Sequence, residues 1–194
     1  MTRLPPLPPE GLSPAQRAIH EAVTGGRRAG APFRVTAPGG SLLGPFGPML
    51  RSPAIGDTVQ RLGEQLRYDS VLPTLVREVV ILTVAHAWRS EFEWYAHAAV
   101  SRKAGLPEEV LDDLHEGRRP AGLDEAQAAA YDVCVALDRQ RRVPEDVYRR
   151  ALDRFGEQGV AELAFLYGYY VLVATTLATF EIGQPEGEPP AFSS

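Results

Sequence analysis

Apolar residues recur along this chain at three- and four-residue intervals, the period of helices that bury one face. Ser13-Pro14 supplies an N-cap and a first-turn proline, predicting a helix to about residue 23 that Gly25-Gly26 ends. Ser52-Pro53 repeats the signal, and Ile55, Val59, Leu62 and Leu66 carry the spacing to about residue 68. Pro73 begins the next helix, to about residue 88, and Ser90 another that stops at Gly105. Helices over 107–116, from Asp124, over 144–155 and over 157–182 complete the pattern. The valine runs fall within this periodicity, so no strand is expected. The fold class is all-α, with about seven or eight helices in one domain spanning 13–182.

Between helices, residues 28–49 are rich in glycine and proline and read as a long ordered loop. Loops of this length in compact domains are often functional, and its 37–49 part is expected to bear on substrate choice. Residues 1–12 and 183–194 are proline-rich and read as a flexible N-terminal segment and an exposed tail.

Three polar residues interrupt the apolar pattern. Glu78 lies in Leu75-Val76-Arg77-Glu78-Val79-Val80-Ile81-Leu82, apolar on nearly every side, where desolvation favours the neutral acid. Glu93 and His97, four apart in Ser90-Glu91-Phe92-Glu93-Trp94-Tyr95-Ala96-His97, fall on one helix face. A carboxylate beside an imidazole raises and orients it, which suits proton transfer. Plainer readings stand beside these. Glu78 pairs with Arg77 or Arg102 to fix packing, and Glu93 closes a Ser90-x-x-Glu93 capping box. His86, two turns after Glu78, faces the same pocket or sits satisfied in the core. His20 and His115 read as surface residues. Glu-x-x-x-His also places two metal ligands on a helix, which would need a third from Glu78, His86 or His20; nothing in the spacing demands such a site, and no metal or other cofactor is expected.

Bulk properties narrow the classes. The chain has 194 residues, 44% hydrophobic and 23% charged, with net charge −5 and no basic stripe interleaved with aromatics. A nucleic-acid partner is not expected. Cys134 is the one cysteine, so an intramolecular disulfide, a CxxC pair and a thiolate zinc site are excluded. The opening Met1-Thr2-Arg3-Leu4-Pro5-Pro6 has no signal-peptide core, and a cytoplasmic location is the expectation. Residues 160–180 are long and apolar enough to suggest a membrane span. Glu162, Tyr167, Tyr169, Tyr170 and three threonines favour a central helix of a homo-oligomer instead.

The central stretch resembles the carboxymuconolactone decarboxylase family, which includes the AhpD alkylhydroperoxidases. The resemblance rests on Arg77-Glu78-Val79-Val80-Ile81-Leu82, Ser90-x-x-Glu93-Trp94-x-x-His97 and Lys103-Ala104-Gly105-Leu106. Gly44-Pro45-Phe46, Leu50-Arg51-Ser52-Pro53, Leu66-Arg67-Tyr68 and Gly168-Tyr169-Tyr170 extend it over roughly residues 40–182. It implies an AhpD-like helical bundle that assembles as trimers or hexamers. Peroxidase members have cysteines at the Ser90 and Glu93 positions. This chain has neither, and peroxide reduction needs a thiolate and a resolving thiol. The decarboxylase branch has glutamate at the Glu93 position and works without cofactor, whereas Glu78 is typical of the peroxidase branch.

Together these readings predict a cofactor-free lyase or isomerase acting on a small carboxylated, cyclic metabolite. Glu78, Glu93 and His97 are its catalytic residues. Arg51 or Arg67 holds a carboxylate or lactone carbonyl through paired N–H donors. Tyr68, Trp94 and His86 are further candidates for the pocket wall. Two alternatives remain at this level: a metal-assisted hydrolase, and a helical oligomer that binds a small ligand without catalysis.

Overall fold

Eight α-helices and one short 3-10 turn make up residues 2–192, which the structure, a computed structural model, describes. The helices are α1 (Pro14–Gly25), α2 (Phe46–Arg51), α3 (Pro53–Tyr68), α4 (Thr74–Ala87), α5 (Glu91–Ala104), α6 (Glu108–His115), α7 (Glu125–Gln140) and α8 (Glu145–Thr179). Among the described residues the β-structure is one isolated bridge, Thr36 to Leu42. The all-α reading therefore holds.

Local chemistry explains most boundaries. Ser13 and Asp124 each accept from the backbone three residues on, and Gln16 and Gln127 reach back to complete capping boxes. α5 ends at Gly105, left-handed at φ 90°. α8 bends at Gly156, whose φ of 66° is non-helical, so the two helices expected around this residue join across a kink.

α4 is the axis of the bundle. It packs against α5, α6, α7 and α8 and buries Val76, Val79, Val80, Ile81, Leu82, Val84 and Ala85. Burying each of the valine, isoleucine and leucine side chains contributes about 1.5–3 kcal/mol. Residues 88–90 turn the chain straight from α4 into α5, and Ser90 N–H donates to the Ala85 carbonyl at 2.8 Å. That short turn makes α4 and α5 antiparallel neighbours and sets their buried faces together. The second half of α8 is apolar enough to cross a membrane by length and composition. In this fold it buries Leu163, Leu166, Tyr169, Tyr170, Val173 and Leu177 in the central core.

Three sequence expectations are corrected. The 28–49 loop contains the start of a helix: α2 begins at Phe46, directly after Gly44-Pro45. Gly44 has φ 60°, and a Cβ there would lie 2.2 Å from the Phe92 ring, so only glycine fits this approach. The expected Ser90–Glu93 capping box is absent, because Glu93 turns inward instead of back along the helix.

The tail is docked rather than exposed. Phe192 is buried, stacks on His115 at 5.2 Å and meets Trp94 edge-on at 5.6 Å. The Ala191 and Phe192 N–H groups donate to the Glu91 carboxylate at 2.6 and 3.0 Å. At the other end, Arg3 N–H donates to the Phe180 carbonyl at 2.9 Å. Both termini find backbone partners and, at Phe192, an aromatic slot, which composition alone does not reveal.

Candidate active site

The α4–α5 hairpin brings its polar interruptions together. His97 Nδ1 lies 2.7 Å from Glu78 Oε2, with both side chains buried. With Glu78 as a carboxylate, the imidazole donates from Nδ1, and Nε2 is left as its basic nitrogen. Burial pushes His97 below the ordinary imidazole range. The Glu78 charge and hydrogen bond pull it back up, and Arg67 adds a smaller downward push. The result is a neutral imidazole buttressed by a carboxylate.

Glu93 is 2% exposed, and neither of its oxygens has a hydrogen-bond partner. Burial pushes its carboxyl up to about 8. Ser90 is near enough to oppose this slightly, but its hydroxyl is itself without an aligned partner. Glu93 is therefore a neutral acid at pH 7, its O–H unused. The expected tuning of His97 by Glu93 is corrected: the carboxylate on His97 comes from the neighbouring helix. The shared helix face does hold, since both side chains line one cavity of about 40 Å³. That volume matches about three water molecules, at roughly 10–15 Å³ each, so a ring-sized ligand enters only as the half-buried Arg67 and Phe33 side chains shift.

The other walls come from outside the hairpin. Arg67 enters from α3, with its guanidinium 5.9 Å from the Phe33 ring centre and 5.4 Å from that of Tyr68. Tyr170 of α8 meets the His97 ring edge-on at 5.1 Å, and Tyr169 packs 5.3 Å from Tyr170. Burial pushes Tyr169 up to about 12 and Tyr170 well above its ordinary value, so both are neutral phenols. Gly63 admits Tyr169: a Cβ there would stand 2.1 Å from the tyrosine hydroxyl.

Four sequence candidates lie elsewhere. Arg51 is exposed at the end of α2 and donates to the Pro5 carbonyl. Tyr68 sits under Arg27, 4.7 Å from ring centre to guanidinium, outside the cavity. Trp94 projects from the opposite face of α5 into the cluster around Phe192. His86 stacks in the same cluster, half-buried, with Nδ1 on the His115 carbonyl at 2.9 Å. His115 and His20 are half-buried rather than on the surface, each bonded to a carbonyl, of Ala191 and Gly40.

Among the described residues no group of three or more His, Cys, Asp or Glu side chains is placed to hold a metal. Cys134 is buried on α7, and burial pushes its thiol up, away from reactivity. Arg28 and Phe33 were missed from sequence. Arg28 is 2% exposed, donating to the Gln60 carbonyl at 2.6 Å, yet it comes from a glycine-rich segment with no periodicity to betray burial.

Residues 53–136, from the start of α3 into α7, match the carboxymuconolactone decarboxylase family. That match covers 84 of the chain's 194 residues. No curated protein matches the sequence. Among solved structures, the chain resembles the AhpD core of an uncharacterized peroxidase-related protein from Ralstonia eutropha JMP134. The TM-score is 0.77 at 16% identity, over 95% of this chain and 93% of that one. A protein of unknown function from Agrobacterium tumefaciens matches at TM-score 0.64 and 16% identity, over 71% of this chain and 94% of the other. An uncharacterized peroxidase-related protein from Silicibacter sp. TM1040 matches at 0.61 and 17%, over 72% and 76%. At these identities the likeness is one of fold, and the chemistry of this chain follows from its own site.

Proposed function

We propose that this protein is a cofactor-free lyase or isomerase that moves protons on a small carboxylated cyclic metabolite. The observation that carries the reading is a buried neutral carboxylic acid and a buried, carboxylate-buttressed neutral imidazole lining one pocket. A base and an acid poised on either side of neutrality is the arrangement general acid–base catalysis requires.

In the lyase form, the bond from ring carbon to carboxylate breaks and carbon dioxide leaves. The electron pair stays on the ring as an enolate, and Glu93 gives its proton to carbon; solvent then reprotonates Glu93. In the isomerase form, His97 Nε2 removes a carbon-bound proton while Glu93 protonates the other end of the conjugated system. Glu78 acts through His97, holding its tautomer and steadying the imidazolium that forms. Thiol-peroxidase chemistry has no support, since Ser90 and Glu93 stand where a thiol pair is needed and Cys134 is sealed in α7.

The test is turnover of a panel of carboxylated lactones, followed by carbon dioxide release and ultraviolet absorbance. Glu93→Gln and His97→Gln each lower kcat by about 10²–10⁴-fold on this reading, and Glu78→Gln lowers it less. Carboxylated ligands that bind without turnover would leave a binding protein.

A soluble, cytoplasmic homo-oligomer, trimeric or hexameric, completes the proposal. Its oligomeric part is supported by large apolar side chains left exposed, Phe165 and Leu172 on α8 and Ile55 and Leu62 on α3.

A further inference from the structure

We propose that Arg67 is an anion subsite of the cavity, and that it holds a carboxylate which a small, flat, unsaturated substrate keeps throughout the reaction. The retained carboxylate rests on the lyase or isomerase reading; the subsite itself does not.

Arg67 lines the cavity and has no hydrogen bond or ion pair among the described residues. Its neighbours differ. Arg28 is engaged by Gln60 and lies 3.5 Å from Glu64, and Arg77 donates to the Leu72 carbonyl and to Thr74. The acids near Arg67 are also spoken for, with Glu78 hydrogen-bonded to His97 and Glu93 protonated. The guanidinium is half-buried, its charge favoured by Tyr170, Tyr68 and Glu78 but its donors unused, and a bidentate carboxylate matches its fork.

Phe33 and Tyr68 lie against the guanidinium and restrict its orientation. Around the rest of the space stand Phe46, Phe92 and Tyr170, walls that suit a flat π-system over a puckered sugar or an aliphatic chain. Pairing with arginine stabilises a carboxylate in the ground state and slows its loss. The carboxylate on Arg67 is therefore the one that stays, and any leaving carboxylate points to the apolar walls. A lyase substrate carries two carboxylates, and an isomerase substrate needs only one.

The experiment is calorimetric titration with 2-furoate and its neutral isostere 2-furamide. The proteins are the native chain, Arg67→Met, Arg67→Lys and the remote Arg51→Met, with thermal melts confirming that each is folded. The expected result is furoate binding at least tenfold tighter than furamide. Arg67→Met weakens furoate about 10- to 100-fold and leaves furamide unchanged. Arg67→Lys keeps part of the affinity, and Arg51→Met matches the native chain. The subsite is overturned by furoate failing to bind at millimolar concentration, by equal binding of the amide, or by indifference to Arg67→Met. Inorganic phosphate that displaces furoate with higher affinity through Arg67 overturns the carboxylate assignment. Arg67-dependent binding with no lactone turned over removes the catalytic reading and leaves the subsite standing. Turnover unaffected by Arg67→Met does the reverse.

Discussion

Glu93 carries more of this site's character than any other residue. Its proton leaves near pH 4.5 in the unfolded chain but only near 8 in the fold. Between those values the native state holds one more proton than the unfolded state, so stability falls as pH rises through that window. Glu93→Gln removes this dependence. Thermal melts from pH 5 to 9 should show the variant gaining on the native protein up to about pH 8 and then running parallel. The sequence exposed Glu78, Glu93 and His97 because each breaks an apolar pattern. It did not expose the pairing: period 3.6 relates Glu93 to His97, whereas the bond from Glu78 to His97 crosses between helices and depends on how they pack. Arg67 and Arg51 both had the right chemistry for an anion, and only the path of α3 separates the one inside from the one outside.

At the scale of elements, caps and turns made most helices legible. Ser13, Asp124 and Gly105 mark ends by local hydrogen bonding that short sequence windows contain. α2 was hidden because its six residues follow Gly44-Pro45 and include Pro48, a composition that reads as loop. The docked tail was hidden for another reason: its partners, Glu91, Trp94 and His115, are about 75–100 residues away in sequence. Phe192→Ala should lower stability by about 1–3 kcal/mol and speed proteolysis of the last residues. A tail held by backbone bonds alone would leave both unchanged. In the axis helix, Leu82→Ala should cost about 2–5 kcal/mol in chemical denaturation, because Leu82 is fully buried and α4 meets other helices on most sides.

The whole molecule is a bundle whose central helix is nearly all core, with its acid–base groups on the one hairpin that crosses the middle. The exposed apolar side chains on α3 and α8 are the feature that a single chain does not use. Light scattering coupled to size exclusion should give a trimer or hexamer, and Phe165→Glu with Leu172→Glu should reduce it to smaller species; a native monomer would contradict this. Acid–base chemistry at this site requires above all a protonated Glu93 facing the same cavity as His97 at neutral pH. A carbon-13 NMR titration of the glutamate carboxyls, with Glu93 assigned from Glu93→Gln, tests that directly. The prediction is one carboxyl that stays protonated through pH 7 and titrates near 8. A Glu93 signal that titrates near 4.5 would contradict it.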